Sequence, residues 1–592
     1  MGKRSRRMER KEKRLKRMKT VNGVLSTAAG GFGFVNAADG TEVFIPPSGM
    51  NGALDGDAVE TQITSERDER GPVGRVSRIL NRGREFMVCE LVDGHSARPL
   101  NRNISTTIKI SGSLKGAKKG DWVKLRLLDS GSKYTESLRG AVEEPLEKAG
   151  TVYGDLLAVA REFDMPGPYS PEFETYAAKL QPSSTVRRED LSNLFTVTID
   201  PKDAKDFDDA LSIEDGDKEW KIGVHIADVA AYVRPGTKLD REARRRAFSS
   251  YIPGMFRPML PRPLTQKISL RQDADSLAHT VLLTVRKRDG AITSARRTFS
   301  LIRVNRRLNY DEVQEFIDGT TPGTWTGELK TAVALLVRAT RKMRSRRKRR
   351  EEFLSFDTPE IRVLCDETTH EIQGIERREQ RESDELVEEC MLAANSAVAE
   401  EISIANFAGI YRIHPEPEPE KLDEFTLFVA ALLKRMPGDL TNRKLCNEFL
   451  DHLPDDHRKY VITANFLRAM ARASYSPDPG LHYGLGKTRY SHFTSPIRRY
   501  SDLALHQQLH AAAENTRLRS KKTFAAISLE CSKREERNDE AYFAANDRLK
   551  LHYLKSRNAL EAMKLYEGVV IKMSSQGMIC DIPEYGLRGF VP

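Results

Sequence analysis

Paired cysteines are absent from this chain. Its six cysteines, Cys89, Cys365, Cys390, Cys446, Cys531 and Cys580, stand singly with no Cys-x-x-Cys among them, which argues against both a zinc site and a disulfide framework. Also absent is any apolar run near the ~20 residues that a membrane-spanning helix needs. The amino terminus has no apolar core of a secretory leader. These absences predict a cytoplasmic protein without a membrane partner. At 592 residues and 39% hydrophobic composition, the chain can build several ordinary buried cores.

The net charge is +11, and its distribution says more than its size. Residues 1–19 hold eleven Lys or Arg against two Glu, a local +9, which leaves +2 (11 − 9) for the rest. Such a segment cannot bury itself, so a disordered or weakly helical tail is expected. It could add phosphate affinity, bind ribosomes, or aid solubility. A second basic run spans Arg338 to Arg350, where nine of thirteen residues are Lys or Arg. It belongs to a predicted helix over 328–352, and either a solvated helix face or a guide beside an RNA channel fits it.

Four modules follow the tail. Over 20–70, short alternating strands punctuated by Gly30-Gly-Phe-Gly-Phe-Val35 and Val43-Phe-Ile-Pro-Pro47 predict a cold-shock-type OB barrel. Phe32, Phe34 and Phe44 would lie on adjacent strands as a base-stacking platform, with a core role as the alternative. Residues 71–145 predict a second OB barrel without the aromatic motif. Residues 146–560 mix strands and longer helices in an α+β manner. Residues 564–592 open like a further barrel and stop, too short to close five strands; a fragment or an incomplete last domain is expected.

The most informative segment lies between the apolar runs Phe195-Thr-Val-Thr-Ile199 and Ala210-Leu-Ser-Ile213. Asp200, Asp206, Asp208 and Asp209 stand there at one strand-turn-strand corner. Carboxylates held that close repel unless a hard cation or a shared proton neutralises them. Oxygen-only ligands favour Mg²⁺, or Mn²⁺. A solvated acidic turn is the alternative. A calcium loop does not fit, since Ala210 falls at a ligand position and no turn glycine follows. Two divalent ions ~3.5–4 Å apart would supply what phosphodiester hydrolysis requires: an activated water, charge relief at phosphorus and help for the leaving oxygen.

The frame Asp200-x5-Asp206-x-Asp208-Asp209 resembles the signature of the RNase II/RNase R (RNB) exoribonucleases. Ser250-Tyr-Ile-Pro-Gly254, Met259-Leu-Pro-Arg262, Leu386-Val-Glu-Glu-Cys-Met391, Tyr411-Arg-Ile-His414, His482-Tyr-Gly-Leu-Gly486 and Thr494-Ser-Pro-Ile-Arg-Arg-Tyr500 occur in that family's order, over roughly residues 20 to 592. Glu388-Glu-Cys-Met391 and His492-Phe-Thr-Ser-Pro-Ile-Arg-Arg-Tyr500 look more like the RNase R branch.

The resemblance implies an RNB catalytic domain flanked by OB folds. It further implies a Mg²⁺-dependent, processive 3′-to-5′ exoribonuclease that hydrolyses single-stranded RNA to nucleoside 5′-monophosphates in RNA degradation and quality control. A monomer is expected, with RNA-decay factors or ribosomes as further partners. By the same resemblance Asp200 and Asp209 ligate metal, Asp206 supports the metal site, and Asp208 is tied most closely to cleavage. Arg498 contacts the scissile phosphate, a task that suits a bidentate, permanently charged guanidinium; Arg499 could take that role or make a structural ion pair. Tyr251 and Phe356 sandwich the 3′-terminal bases, while Tyr310 and Glu388 read the sugar, with plain helix-surface roles as their alternative. His414, His482 and His492 sit in motifs, but lone histidines are more often structural. Tyr542 and Phe543 depart from the polar pair usual in the family's long helix.

Overall fold

The computed structural model describes residues 19–27, 31–37, 40–68, 71–101, 104, 107–128, 138–320, 323–350, 353–354, 360–558, 565–574 and 577–592. The basic tail, save Lys19, and Phe356 lie outside these residues. The chain divides into two compact units, up to Met165 and from Pro166 onward.

The first unit contains two closed five-stranded barrels. The first uses Thr20–Thr27, Gly33–Ala37, Glu42–Ile45, Ala58–Asp68 and Gly71–Asn81. Strand alternation sends Leu25, Val35, Val43, Ile45 and Val59 into its core. Gly33 is a close-approach position, because a Cβ there would meet the Ser26 carbonyl oxygen at 2.7 Å. The strand Gly71–Asn81 pairs with both Ala58–Asp68 and Glu42–Ile45. It therefore closes the first barrel, and the boundary expected at residue 70 moves beyond Asn81.

The second barrel comprises Phe86–Leu91, Ser96–Pro99, Ile108–Ile110, Asp121–Leu128 and Arg139–Lys148. The helix Val152–Glu162 belongs with it, not with the catalytic region expected from 146. The Trp122 indole donates to Asp155 at 2.8 Å, and the Val88 amide donates to Glu162 at 2.7 Å. Buried donors need such partners, and the helix supplies them.

In the second unit, six strands form one sheet in the order Glu189–Asp190, Ile292–Asn309, Thr196–Asp200, Asp209–Asp215, Glu219–Ala227, Asp275–Arg286. The long strand Ile292–Asn309 also pairs with Asp275–Arg286, so the sheet curls back on itself. Helices Gly327–Arg350, Glu382–Ile404 and Tyr500–Ala513 share its apolar core, with Leu336, Ala394, Leu503 and Leu505 among the contributors. Tyr500–Ala513 is buried from Tyr500 to Ala511.

The basic run occupies the end of Gly327–Arg350 and faces acids of Glu382–Ile404. Arg341 pairs with Glu382 at 2.8 Å and Arg344 with Glu385 at 2.6 Å. Arg347 pairs with Glu389 at 2.5 Å, with side chains only 6% and 3% exposed. Arg344 and Arg347 thus belong to an interhelical ion-pair ladder, while Arg341 at its outer end is 56% exposed and the remaining face of the run is solvated. Helices Pro419–Leu433, Arg443–Asp451 and His457–Ala469 gather around their own core of Leu422, Phe425, Val429 and Phe466. The long helix Lys521–Asn558 is followed by an antiparallel meander of Val569–Ser574, Gly577–Ile582 and Leu587–Val591.

Candidate active site

The acidic corner is the connection between two antiparallel neighbours, Thr196–Asp200 and Asp209–Asp215. Asp200 ends the first strand, Asp209 begins the second, and Asp206 and Asp208 sit in the turn. The parallel register places Asp200 opposite Asn309. Asn309 caps the helix Tyr310–Ile317 through a capping box with Glu312, so Tyr310 begins its helix beside the Asp200 strand end.

Asp208 is 5% exposed and accepts the Ile497 amide at 2.8 Å. The Arg498 guanidinium approaches its other oxygen at 3.5 Å. Arg498 is 46% exposed along its side chain, and its Nη2 donates to Ser495 Oγ at 3.0 Å. Arg499 is committed elsewhere, in a two-pronged pair with buried Asp502 at 2.7 and 3.0 Å. Of the two roles open to Arg499, the structure shows the ion pair, and Arg498 is the arginine facing the acidic corner.

The carboxyl groups of Asp200, Asp208 and Asp209 are each pushed up to about 7, and that of Asp206 is raised. Burial is the largest cause in all four. Neighbouring negative charge adds to it: Asp208 acts on Asp200, Asp200 on Asp209, and Asp209 with Asp206 on Asp208. Arg498 opposes the rise at all four. Asp200 Oδ2 is buried with no hydrogen-bond partner. Among the described residues no three His, Cys, Asp or Glu side chains are gathered tightly enough to hold an ion as they stand. The donor chemistry nonetheless fits a hard divalent cation: four clustered carboxylates, one orphaned oxygen, and neighbouring cations that do not offset the rise, since all four carboxyl groups stay raised despite Arg498, Arg307, Arg262 and Lys205.

A cavity of about 620 Å³ opens beside this corner, and Asp209, Tyr310, Glu388 and Arg498 all line it. Arg378, also in the lining, covers the Tyr310 ring at 5.6 Å. Glu388 accepts from Gln380 at 2.6 Å. Neither Arg378 nor Gln380 was singled out from sequence; a hairpin end far along the chain carries no local signal. Tyr251 lies on the short hairpin Ser250–Ile252/Met255–Arg257, is 51% exposed, and sits 5.0 Å from the Phe256 ring. Arg498, Asp206 and Asp208 act electrostatically on its hydroxyl. Phe256 was missed because the turn that returns it to Tyr251 is set by backbone pairing.

The three motif histidines are held by protein partners, and His482 and His492 also line the cavity. His414 accepts the Gly484 amide at 3.1 Å and meets the His482 ring at 5.3 Å; His492 Nδ1 is 2.9 Å from the Tyr475 hydroxyl. All three are held below the usual imidazole range, by burial first. Tyr542 bonds to Glu360 at 3.0 Å, while Phe543 is exposed. In the first unit, Phe32, Phe34 and Phe44 cluster with ring centroids 5.5, 5.6 and 5.9 Å apart. Phe34 pairs across strands with Phe44, and both alternate with core positions, so the aromatics form an outward, half-buried platform.

The RNB domain model matches residues 188–515, which carry the acidic corner, the cavity and Arg498. The chain belongs to the RNB family. This RNB-family chain is an exoribonuclease, a hydrolase acting on RNA. The Ribonuclease B OB domain model matches residues 23–79, within the first barrel. Ribonuclease R of Aquifex aeolicus is 32% identical over 596 residues, covering 96% of this chain and 82% of its own. Ribonuclease R of Thermotoga maritima is 30% identical, covering 95% and 81%. Among solved structures, Mycoplasma genitalium RNase R in complex with ribose-methylated single-stranded RNA superposes with a TM-score of 0.86 at 22% identity, over 96% of this chain and 92% of that one. Yeast Ssd1, a pseudonuclease, superposes at 0.74 and 17% identity, covering 100% of this chain and 80% of that one. At those identities the superpositions establish the fold alone. Among the described residues no helix is long and apolar enough to cross a membrane.

Proposed function

We propose that this RNB-family chain shortens single-stranded RNA processively from its 3′ end, releasing nucleoside 5′-monophosphates, with Mg²⁺ held at the acidic corner and Mn²⁺ able to replace it. The observation that carries the proposal is the junction of Asp208 with the Ile497 amide and the Arg498 guanidinium, at 2.8 and 3.5 Å. It joins the carboxylate cluster to a partly exposed guanidinium suited to a phosphoryl oxygen.

In this reading Asp200 and Asp209 ligate the cation, Asp206 supports that site, and Asp208 orients the corner against Arg498. When bound, a divalent ion supplies an activated water and a counter-charge for the phosphate. The protein's own contribution is placement and electrostatics. Arg498 offers a charged, hydrogen-bonding fork to the phosphate as charge develops there. The Tyr251 ring faces the terminal bases, with Phe356 as its expected partner, and stacking on them tolerates every sequence. Tyr310 and Glu388, on the cavity wall, are placed to meet the terminal sugar, where a carboxylate can accept from a 2′-hydroxyl. The half-buried Phe32, Phe34 and Phe44 give a stacking surface for bases further along the strand.

A fold shared with a pseudonuclease makes RNA binding without turnover the competing reading. End-labelled single-stranded RNA incubated with Mg²⁺ or with EDTA separates the two. Release of mononucleotides from a 3′ label from the earliest time points, only with Mg²⁺, is expected; binding without shortening in Mg²⁺ would overturn the proposal.

A further inference from the structure

The segment that brings Arg498 to Asp208 is held by a third residue bonded to neither. Asp502 lies in the first turn of the helix Tyr500–Ala513 and is fully buried. Its two oxygens accept four hydrogen bonds: Oδ1 from the Ser495 amide at 2.9 Å and Arg499 Nη2 at 2.7 Å, Oδ2 from Arg499 Nε at 3.0 Å and the Ser501 hydroxyl at 2.9 Å. Asp502 thus grips the segment Ser495–Arg499 at both ends. Between those ends lie the Ile497 amide that binds Asp208, Ser495 Oγ that holds Arg498 Nη2 at 3.0 Å, and Pro496, which restricts Ser495 to extended geometry. The Arg498 carbonyl is tied separately to the Ser249 amide at 2.9 Å, two residues from Tyr251.

We infer that Asp502 is a positioning residue for the reaction: through Ser495 and Arg499 it sets where the Arg498 guanidinium stands relative to Asp208. A carboxylate that only filled a helix first turn would interact with the helix's own amides. This one reaches back seven residues to the loop that carries the phosphate-facing arginine. A buried, fully satisfied carboxylate is rigid, and reacting groups displaced by ~1 Å can lose ~100-fold in rate. The inference rests on the hydrolytic reading proposed above.

The test is a double-mutant cycle on the full chain. Asp502→Asn is expected to lower kcat about 10- to 100-fold while KM, and the Kd for RNA measured in EDTA, stay within about 3-fold of wild type. In an Arg498→Ala background the same change is expected to cost less than about 3-fold further, because the arginine it positions is gone. Ser495→Ala keeps the Asp502–Arg499 pair intact, removes only the hydroxyl that holds Arg498, and is expected to show the same split. It keeps the inference testable if Asp502→Asn folds poorly. A wild-type kcat in either variant, a loss equal to the fall in RNA-binding-competent protein, or an undiminished loss in the Arg498→Ala background would overturn it. Wild type that never cleaves would sink the proposed function as well; wild type that cleaves while Asp502→Asn matches it sinks this inference alone.

Discussion

Two stretches of this chain concentrate charge of one sign, and they end in opposite states. Of the nine cations from Arg338 to Arg350, three meet a facing helix, where Arg341, Arg344 and Arg347 find Glu382, Glu385 and Glu389. The carboxylates of Asp200, Asp206, Asp208 and Asp209 share one partly exposed guanidinium, Arg498, leave an Asp200 oxygen unpaired, and are pushed toward neutrality by burial, with repulsion among Asp200, Asp208 and Asp209 adding to it. Charge density alone therefore does not mark a functional site. Charge buried without a partner does, because the native protein carries that cost until something outside the chain relieves it.

The largest effect expected from breaking this contrast is on the acidic side. Asp208→Asn keeps the shape of the corner and its bond to the Ile497 amide but removes a charge. Single-turnover cleavage is expected to fall roughly 10³-fold or more, with RNA affinity nearly unchanged. Near-normal turnover would remove Asp208 from the chemistry.

On the basic side the expected loss is in stability, not in rate. Glu389→Ala strands the buried Arg347 guanidinium, and denaturant unfolding should show a loss of about 3–5 kcal/mol. Replacing the pair together, Arg347→Met with Glu389→Leu, should recover most of it. If Glu389→Ala costs under about 1 kcal/mol, the ladder is no more than a surface pair.

A smaller effect is expected at Tyr251, which belongs to neither charge cluster. Tyr251→Ala should weaken binding of short oligonucleotides by about 1–3 kcal/mol, and binding of long RNA by less. Equal losses at every length would argue that the ring does not stack on the terminal bases.

The smallest effect is the most specific to uncompensated charge. The carboxyl of Asp209 is pushed up to about 7 in the folded chain, against ~3.9 unfolded. Between those values the native state binds more protons than the unfolded state, so the group's contribution to stability falls as pH rises through that window and is flat above it. Without metal, Asp209→Asn should melt with wild type near pH 4 and a few degrees above it near pH 8. A difference independent of pH would mean that the charge is already compensated.

The sequence displayed the acidic corner well because its four aspartates lie within ten residues, between strands whose alternation is local. It showed the aromatic platform for the same reason: Phe34 and Phe44 alternate with Val35 and Val43 on a hairpin. What it concealed was pairing over distance. Nothing near Arg347 announces Glu389, and although the family register points to Arg498, nothing in Arg-Arg-Tyr announces that Arg499 is locked to Asp502. Strand pattern does not specify a partner, so the sequence does not show that Gly71–Asn81 closes the first barrel. The helix Val152–Glu162 gives no sign of its module, because its attachments, Trp122 and Val88, lie outside its own sequence.

The central claim is that the acidic corner stores unpaired negative charge which a divalent cation relieves and the reaction uses. The most direct test titrates Mg²⁺ into EDTA-treated protein at pH near 8 and follows melting temperature and cleavage of single-stranded RNA together. The account predicts that both rise with a common midpoint in wild type, and that Asp209→Asn starts from a higher melting temperature and responds in neither. Undiminished cleavage in EDTA, or activation by Mg²⁺ with no change in melting temperature, would contradict it.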